Sequence, residues 1–209
     1  MLIREIMHLN PLTIKPNTTL CDAYQLMQDK GIRHLPVMEN EKLVGIVTDR
    51  DLRLATSRLA KRPFNPTAEV KEIMNHPVET TNPSDPVEIA TQLMRELKIG
   101  CLPVIEDLQL VGIVTSADIL DAMLLLTGVH KPSGRLDIRL SDKSGELARL
   151  TALLAERKIN IHSILTYQEK NDKIRLVLRV NTMEIRKLAE AICDIGFEVL
   201  WPIHISCVK

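Results

Sequence analysis

The sequence predicts an α/β (α+β) protein, made of two β-α-β-β-α repeats and a C-terminal ferredoxin-like β-α-β-β-α-β part. Three observations predict it. The stretch "LVGIVTDRD" at Leu43–Asp51 returns as "LVGIVTSAD" at Leu110–Asp118. A shift of 67 residues lays 5–55 over 72–122 without a gap, with 22 of 51 positions identical, and a fixed internal period is a statement about the whole fold. After Ser133 the period is lost and a new alternation of strands and helices begins.

Within each repeat the order of elements follows from local pattern. A short extended piece (12–15; 79–82) passes through a proline turn into a helix. That helix shows Leu20, Ala23, Tyr24 and Met27 in the first repeat, and Val87, Ala90, Met94 and Leu97 in the second, spaced by threes and fours. A strand carrying Leu-Pro-Val follows, and its proline suits an edge or a strand start. A polar turn (39–42; 106–109) joins it to the "LVGIV" strand as a hairpin. The closing helix starts at Thr48 or Thr115. One repeat of about 55 residues has little core of its own, whereas two can bury their sheets together.

In the third part Leu136, Ile138 and Leu140 alternate as a strand, and "SDKSGELARLTALLAERK" starts a helix with Leu147, Leu150 and Leu154 on one face. "INIHSILTY" and "KIRLVLRV" read as strands joined by a turn at 169–172. A last helix carries Ile185, Leu188, Ala189 and Ile192, Gly196 suits its end, and "FEVLWPIHI" is the final strand. The predicted divisions are repeat one at 1–56, a linker at 57–68, repeat two at 69–126, a linker at 127–133 and the last domain at 134–209.

Composition excludes several functions. Apolar residues are 45%, charged residues 26% and the formal net charge is zero, as in a soluble globular chain. No basic excess suggests duplex binding, and aromatics at 2% are too few to stack single strands, so no nucleic acid is expected. No stretch reaches the length of a membrane span, and the charged, proline-containing start does not read as a signal peptide. Cys21, Cys101, Cys193 and Cys207 have no metal-finger spacing and are read as reduced thiols, which predicts a cytoplasmic protein. His8, His76, His130, His162 and His204 form no metal motif, and neither a phosphate-binding loop nor a nucleophile elbow occurs. The expectation is a non-enzyme with no metal and no cofactor.

The doubled Thr-x-x-Asp allows two chemistries. As a capping box, Thr48 or Thr115 accepts from an orphan helix N–H while Asp51 or Asp118 reaches back. As a ligand site, the hydroxyl and helix start receive a phosphate and the carboxylate accepts from both hydroxyls of a ribose. Cations for a phosphate are present in the first repeat as Arg33, His34, Arg50 and Arg53, where the second has Gly100, Cys101, Ala117 and Leu120.

Residues 1–126 resemble the CBS domain pair, or Bateman module, through the I-M near each start, "IRHLPV" and "IGCLPV", and "GIVTDRD" and "GIVTSAD". The resemblance implies an adenine nucleotide as regulatory ligand, held in clefts that join the Thr-x-x-Asp of one copy to the "IRH" or "IGC" segment of the other. Its implied site is Thr18, Ile32, Arg33, His34, Thr48, Arg50, Asp51, Ile99, Gly100, Cys101, Thr115 and Asp118, with Ile32 and Ile99 sandwiching adenine and Thr18 opening the helix opposite. The third part is similar to an ACT domain through "SDKSGEL", which implies an amino acid ligand near Asp142, Ser144, Gly145 and Glu146, or a dimer contact. The order CBS–CBS–ACT resembles the acetoin utilization protein AcuB family. It implies a regulatory link to acetoin metabolism; a homodimer and a metabolic enzyme partner are further expectations, and the alternative is an interaction platform that binds no small molecule.

Overall fold

The computed structural model describes residues 1–57 and 63–203, divided between a compact unit ending at Leu120 and a second beginning at Asp121. The expected linker residues 58–62 and the end of the expected last strand, from 204 on, lie outside the described residues.

In the first unit both repeats are realised as matching sets. The first holds β1 (His8–Leu9), α1 (Leu20–Lys30), β2 (His34–Glu39), β3 (Lys42–Thr48) and α2 (Asp49–Thr56). The second holds α3 (Val87–Leu97), β4 (Cys101–Glu106), β5 (Gln109–Thr115) and α4 (Ser116–Leu126). β2 pairs antiparallel with β3, and β4 with β5, around two-residue turns whose tips, Asn40–Glu41 and Asp107–Leu108, take positive φ. Both helices of the first repeat pack on its hairpin through Leu20, Ala23, Met27, Leu35, Val37, Val47 and Leu52, all buried. The cap of α1 is Thr19, whose hydroxyl accepts from Asp22 N at 3.0 Å. This corrects the expectation for Thr18, which accepts from Lys15 N in the turn before the helix.

The repeats exchange their entry segments. A 3₁₀ turn at Ile3–Glu5 hydrogen-bonds to the second repeat, with Ile3 N donating to Asp85 O and Arg4 N to Pro83 O, both at 3.0 Å. Its counterpart at Val70–Glu72 returns the exchange, Val70 N donating to Thr18 O at 2.8 Å and Lys71 N to Pro16 O at 3.0 Å. β1 then pairs with β5 of the other repeat, and Asn75 bridges Ile46 of β3. The glycine of each "GIVT" is explained by this crossing. A Cβ at Gly112 would lie 2.9 Å from Met7 Sδ and 3.0 Å from His8 O, and one at Gly45 would clash with the Met74 side chain. The "I-M" at one repeat's start and the "G-I-V" of the other are therefore one packing unit.

The second unit holds β6 (Gly134–Ser141), α5 (Glu146–Glu156), β7 (Ile161–Gln168), β8 (Lys173–Val180), α6 (Ile185–Asp194) and β9 (Glu198–Trp201). Its antiparallel sheet runs β7-β8-β6-β9, the ferredoxin-like order. One face, with Leu136, Ile138, Leu140, Leu176, Leu178 and Val180, is buried against Leu150, Leu154, Leu188 and Ile192 of the helices. On the other face Arg139 bridges Glu169 and Glu198, and Glu169 also pairs with Arg175 at 3.0 Å. Cys21 and Cys101 are free, the first exposed and the second buried, whereas Cys193 is disulfide-bonded. That corrects the reading of four reduced thiols; Cys207 lies outside the described residues. Among the described residues no helix is long and apolar enough to cross a membrane.

Candidate functional site

Both Thr-x-x-Asp motifs close a helix start. Asp51 Oδ2 accepts from Thr48 N at 2.9 Å and from the Thr48 hydroxyl at 2.7 Å, and Thr48 Oγ1 accepts from Asp51 N at 3.2 Å. Thr115 and Asp118 repeat the set at 2.7, 2.8 and 3.4 Å. Capping is thus realised twice, and it uses one oxygen of each carboxylate. The exchanged entry segments then add a group that the sequence reading missed. Asn75 donates Nδ2–H to the same Asp51 Oδ2 at 3.0 Å, so Oδ1 of Asp51 accepts no hydrogen bond among the described residues. At the matching position His8 Nε2 meets Asp118 Oδ1 at 2.8 Å, and both oxygens of Asp118 are engaged.

Asp51 opens into a cavity of about 660 Å³, within the range typical of small-molecule sites. Its walls take Arg33, His34, Ile46, Thr48, Asp49 and Arg50 from the first repeat, and Lys98, Ile99, Gly100, Cys101, Thr115, Ser116 and Ala117 from the second. The entry segment of the second repeat closes it with Asn75, Pro77, Val78 and Glu79. The Asp51 carboxylate, three cations (Arg33, Arg50, Lys98) and an aliphatic wall (Ile46, Val78, Ile99) stand around one space. Arg33 and Arg50 are exposed at its mouth, so their attraction for an anion is screened by salt.

Two interior groups are electrostatically set. Burial, then the positive charge of Arg33, lowers the pKa of His34, with Asp51 opposing more weakly, so the imidazole is neutral at neutral pH. Its ring leans over Gly100, where a Cβ would stand 3.1 Å from Nε2. Burial, aided by the charge of Asp51, pushes the Cys101 thiol up to about 12. The Cys101 thiol is therefore not a nucleophile at neutral pH.

Of the twelve residues implied by the CBS resemblance, nine line this cavity: Arg33, His34, Thr48, Arg50, Asp51, Ile99, Gly100, Cys101 and Thr115. Three do not. Ile32 packs on the core of the first repeat, Thr18 lies in the turn before α1, and Asp118 is held by His8. Arg53 pairs with Asp49 at 2.9 Å and lies over the Tyr24 ring, away from the cavity. Ile46, Asp49, Asn75, Pro77, Val78, Glu79, Lys98, Ser116 and Ala117 also line the cavity and were missed. The available signal was positional: Asn75 and His8 both follow an "I-M" pair, and a contact made by one copy's entry segment bears on the other's acid.

In the second unit Gly145 caps α5 with φ 93°, a backbone region that side chains rarely adopt, and faces open space. Glu146 pairs with Arg149 at 3.1 Å, Asp142 Oδ2 accepts from Gln168 Nε2 at 3.1 Å, and Ser144 is exposed in the turn between. Among the described residues no group of three or more His, Cys, Asp or Glu side chains is placed to hold a metal.

The family model for the CBS domain matches residues 3–58 and 70–125, and that for the ACT domain matches 134–197. The CBS domain-containing protein YhcV of Bacillus subtilis is 33% identical over 117 residues, covering 56% of this chain and 81% of that protein. A CBS domain pair crystallised with 5′-methylthioadenosine and S-adenosyl-L-methionine is 30% identical, covers 59% of this chain and 95% of its own, and superposes with a TM-score of 0.53. A Vibrio cholerae structure named for acetoin utilization (AcuB) is 35% identical, covering 63% of this chain and 98% of that one at a TM-score of 0.52. Two matched repeats that exchange their entry segments, and the βαββαβ unit after them, place the chain in the CBS domain family, as a tandem pair followed by an ACT domain.

Proposed function

We propose that the chain is a regulatory protein that binds an adenine nucleotide or related adenosyl compound in the Asp51 cavity. The observation that carries this reading is Asp51, which lines a cavity of nucleoside size beside three cations and whose Oδ1 accepts no hydrogen bond among the described residues. A charged carboxylate accepting from ribose hydroxyls forms strong hydrogen bonds. Ile99, Ile46 and Val78 offer aliphatic surface to a base, and Arg33, Arg50 and Lys98 offer charge to a 5′-phosphate. The adenosyl ligands held by a related CBS pair support the ligand class. The ACT domain acts as a second small-molecule sensor or as a dimer contact. Exposed Leu120, Met123, Leu124 and Leu126 along α4 support a homodimer, and the likeness to the Vibrio cholerae protein supports a role in acetoin utilization.

The test is a thermal-shift and calorimetric series with AMP, ADP, ATP, 5′-methylthioadenosine and S-adenosylmethionine. A ligand at a hundred times its Kd adds about 2.7 kcal/mol of stability. Asp51→Asn should keep the cap and lower affinity about ten- to a hundredfold, the worth of a charge-assisted bond. No shift with any adenosyl compound would instead favour the ligand-free interaction platform.

A further inference from the structure

The two Thr-x-x-Asp boxes are alike except in the residue that the other repeat's entry segment brings to them. Asn75 spends its hydrogen bond on Asp51 Oδ2, the oxygen already used by the cap. His8 meets Asp118 Oδ1, the oxygen the cap leaves over, at 2.8 Å. The reason lies in the side chains. An imidazole reaches further than a carboxamide and presents Nε2 at its far tip. The cavity follows the same division: it takes in Asp51 and Asn75 and leaves out Asp118 and His8.

We propose that His8 ranks the two clefts of the CBS pair, by holding Asp118 so that an adenosyl ligand fills the Asp51 cleft first. The inference rests on the reading of Asp51 as a ribose acceptor and extends it to the order of filling. His8 is a positioning residue: it acts through Asp118, and a ribose entering that cleft must displace it. The His8 side chain is 68% exposed and that of Asp118 is 11% exposed, so the imidazole can swing out into water and the latch is a modest one. Its expected effect is about three- to tenfold in affinity, within the range of one net hydrogen bond.

The probe is 5′-methylthioadenosine, which carries no phosphate, so the unequal arginines of the two repeats have no anion to read. Calorimetry on the full chain should resolve a strong and a weak class of site. His8→Asn, which copies the residue at 75, should bring the weak class about three- to tenfold closer to the strong one. The reciprocal change Asn75→His should weaken the strong class by a similar factor. Both exchanges occur at exposed positions, and unchanged melting temperatures would confirm that the shifts are not losses of fold. A His8→Asn protein whose weak class does not tighten overturns the latch while leaving the Asp51 reading intact. Failure of the native protein to bind any adenosyl compound overturns that reading. In that event the latch is still tested without ligand, by long-range ¹H–¹⁵N spectra of the imidazoles. The Nε2 resonance of His8 should shift on Asp118→Asn, and no shift overturns it.

Discussion

At matching positions the first repeat carries Arg33, His34, Asp49 and Arg50, and the second carries Gly100, Cys101, Ser116 and Ala117; all eight line one cavity. The repeats agree elsewhere in what builds the pair: the Thr-x-x-Asp caps, the "G-I-V" glycines and the methionines that pack on them. Duplication has been retained where it makes the fold and has diverged where a ligand would be met. At these four pairs of positions the first repeat's side of the wall is bulky and mostly charged, and the second's is small and neutral. The small half follows from the large one at Gly100, since His34 occupies the space that a side chain there would need.

The largest expected difference between the halves is chemical. Cys101, the counterpart of His34, has its thiol pushed up to about 12 from an ordinary value of 9.0. Only the thiolate attacks alkylating agents. At pH 8 that shift leaves about a thousandfold less of it than an ordinary thiol would have. In the native protein, iodoacetamide followed by mass spectrometry should label exposed Cys21 and leave Cys101 unlabelled. Equal labelling of both would break the account of the neutral half as dry.

The next effect concerns the shared part. Gly45→Ala and Gly112→Ala each press a methyl group into the other repeat's entry segment, and overpacking of that kind costs about 1–3 kcal/mol. The two should differ in rescue. At Gly45 the three nearest atoms all belong to the Met74 side chain, so adding Met74→Ala should restore most of the melting temperature. At Gly112 the carbonyl of His8 is also 3.0 Å away, so Met7→Ala should rescue less. Equal rescue would show that the backbone gives way as readily as a methionine.

A smaller effect tests the caps alone. Asp51→Ala and Asp118→Ala each remove an acceptor from a helix start, at a cost of about 0.5–2 kcal/mol, while the Asn variants keep most of it. Chemical denaturation measures this without ligand. Losses well below that range in both variants would mean that the boxes contribute little to folding, and that the motif was retained for binding.

Sequence reading reached the fold because its signals are local and doubled. The "LVGIV" runs, the Leu-Pro-Val strands and the alternating Leu176, Leu178 and Val180 each declare their element within a few residues. The site was only half legible for the opposite reason. Asp51 and Asp118 look the same in sequence, because the cap that makes them alike is local, formed within four residues. What separates them is a contact made across the pair, Asn75 to Asp51 over 24 residues and His8 to Asp118 over 110. The exchange of entry segments is a tertiary event, and no spacing along the chain announces it. Thr18 was misplaced by one residue because two adjacent threonines can both serve as caps, and only backbone geometry chooses Thr19.

The smallest expected effect is a slope against pH, and it isolates His34 from every other difference between the halves. Burial and Arg33 lower its pKa below the ordinary 6.5, while Asp51 raises it by less. The folded protein therefore takes up a proton at this group less readily than the unfolded chain does. Stability from this source is fully present above about pH 6.5, where the imidazole is neutral in both states. It is lost as pH falls from there toward the lowered folded value, because the unfolded chain binds the proton first. His34→Cys gives the first repeat the residue of the second, and Cys does not titrate in that window. Chemical denaturation at a series of pH values from 7.5 to 5 should show the native protein losing stability more steeply than His34→Cys. The other histidines and the carboxylates are common to both proteins, so their contributions cancel in the difference. Parallel curves would mean that His34 meets water freely, and the two halves of the cavity wall would then differ in size but not in dryness.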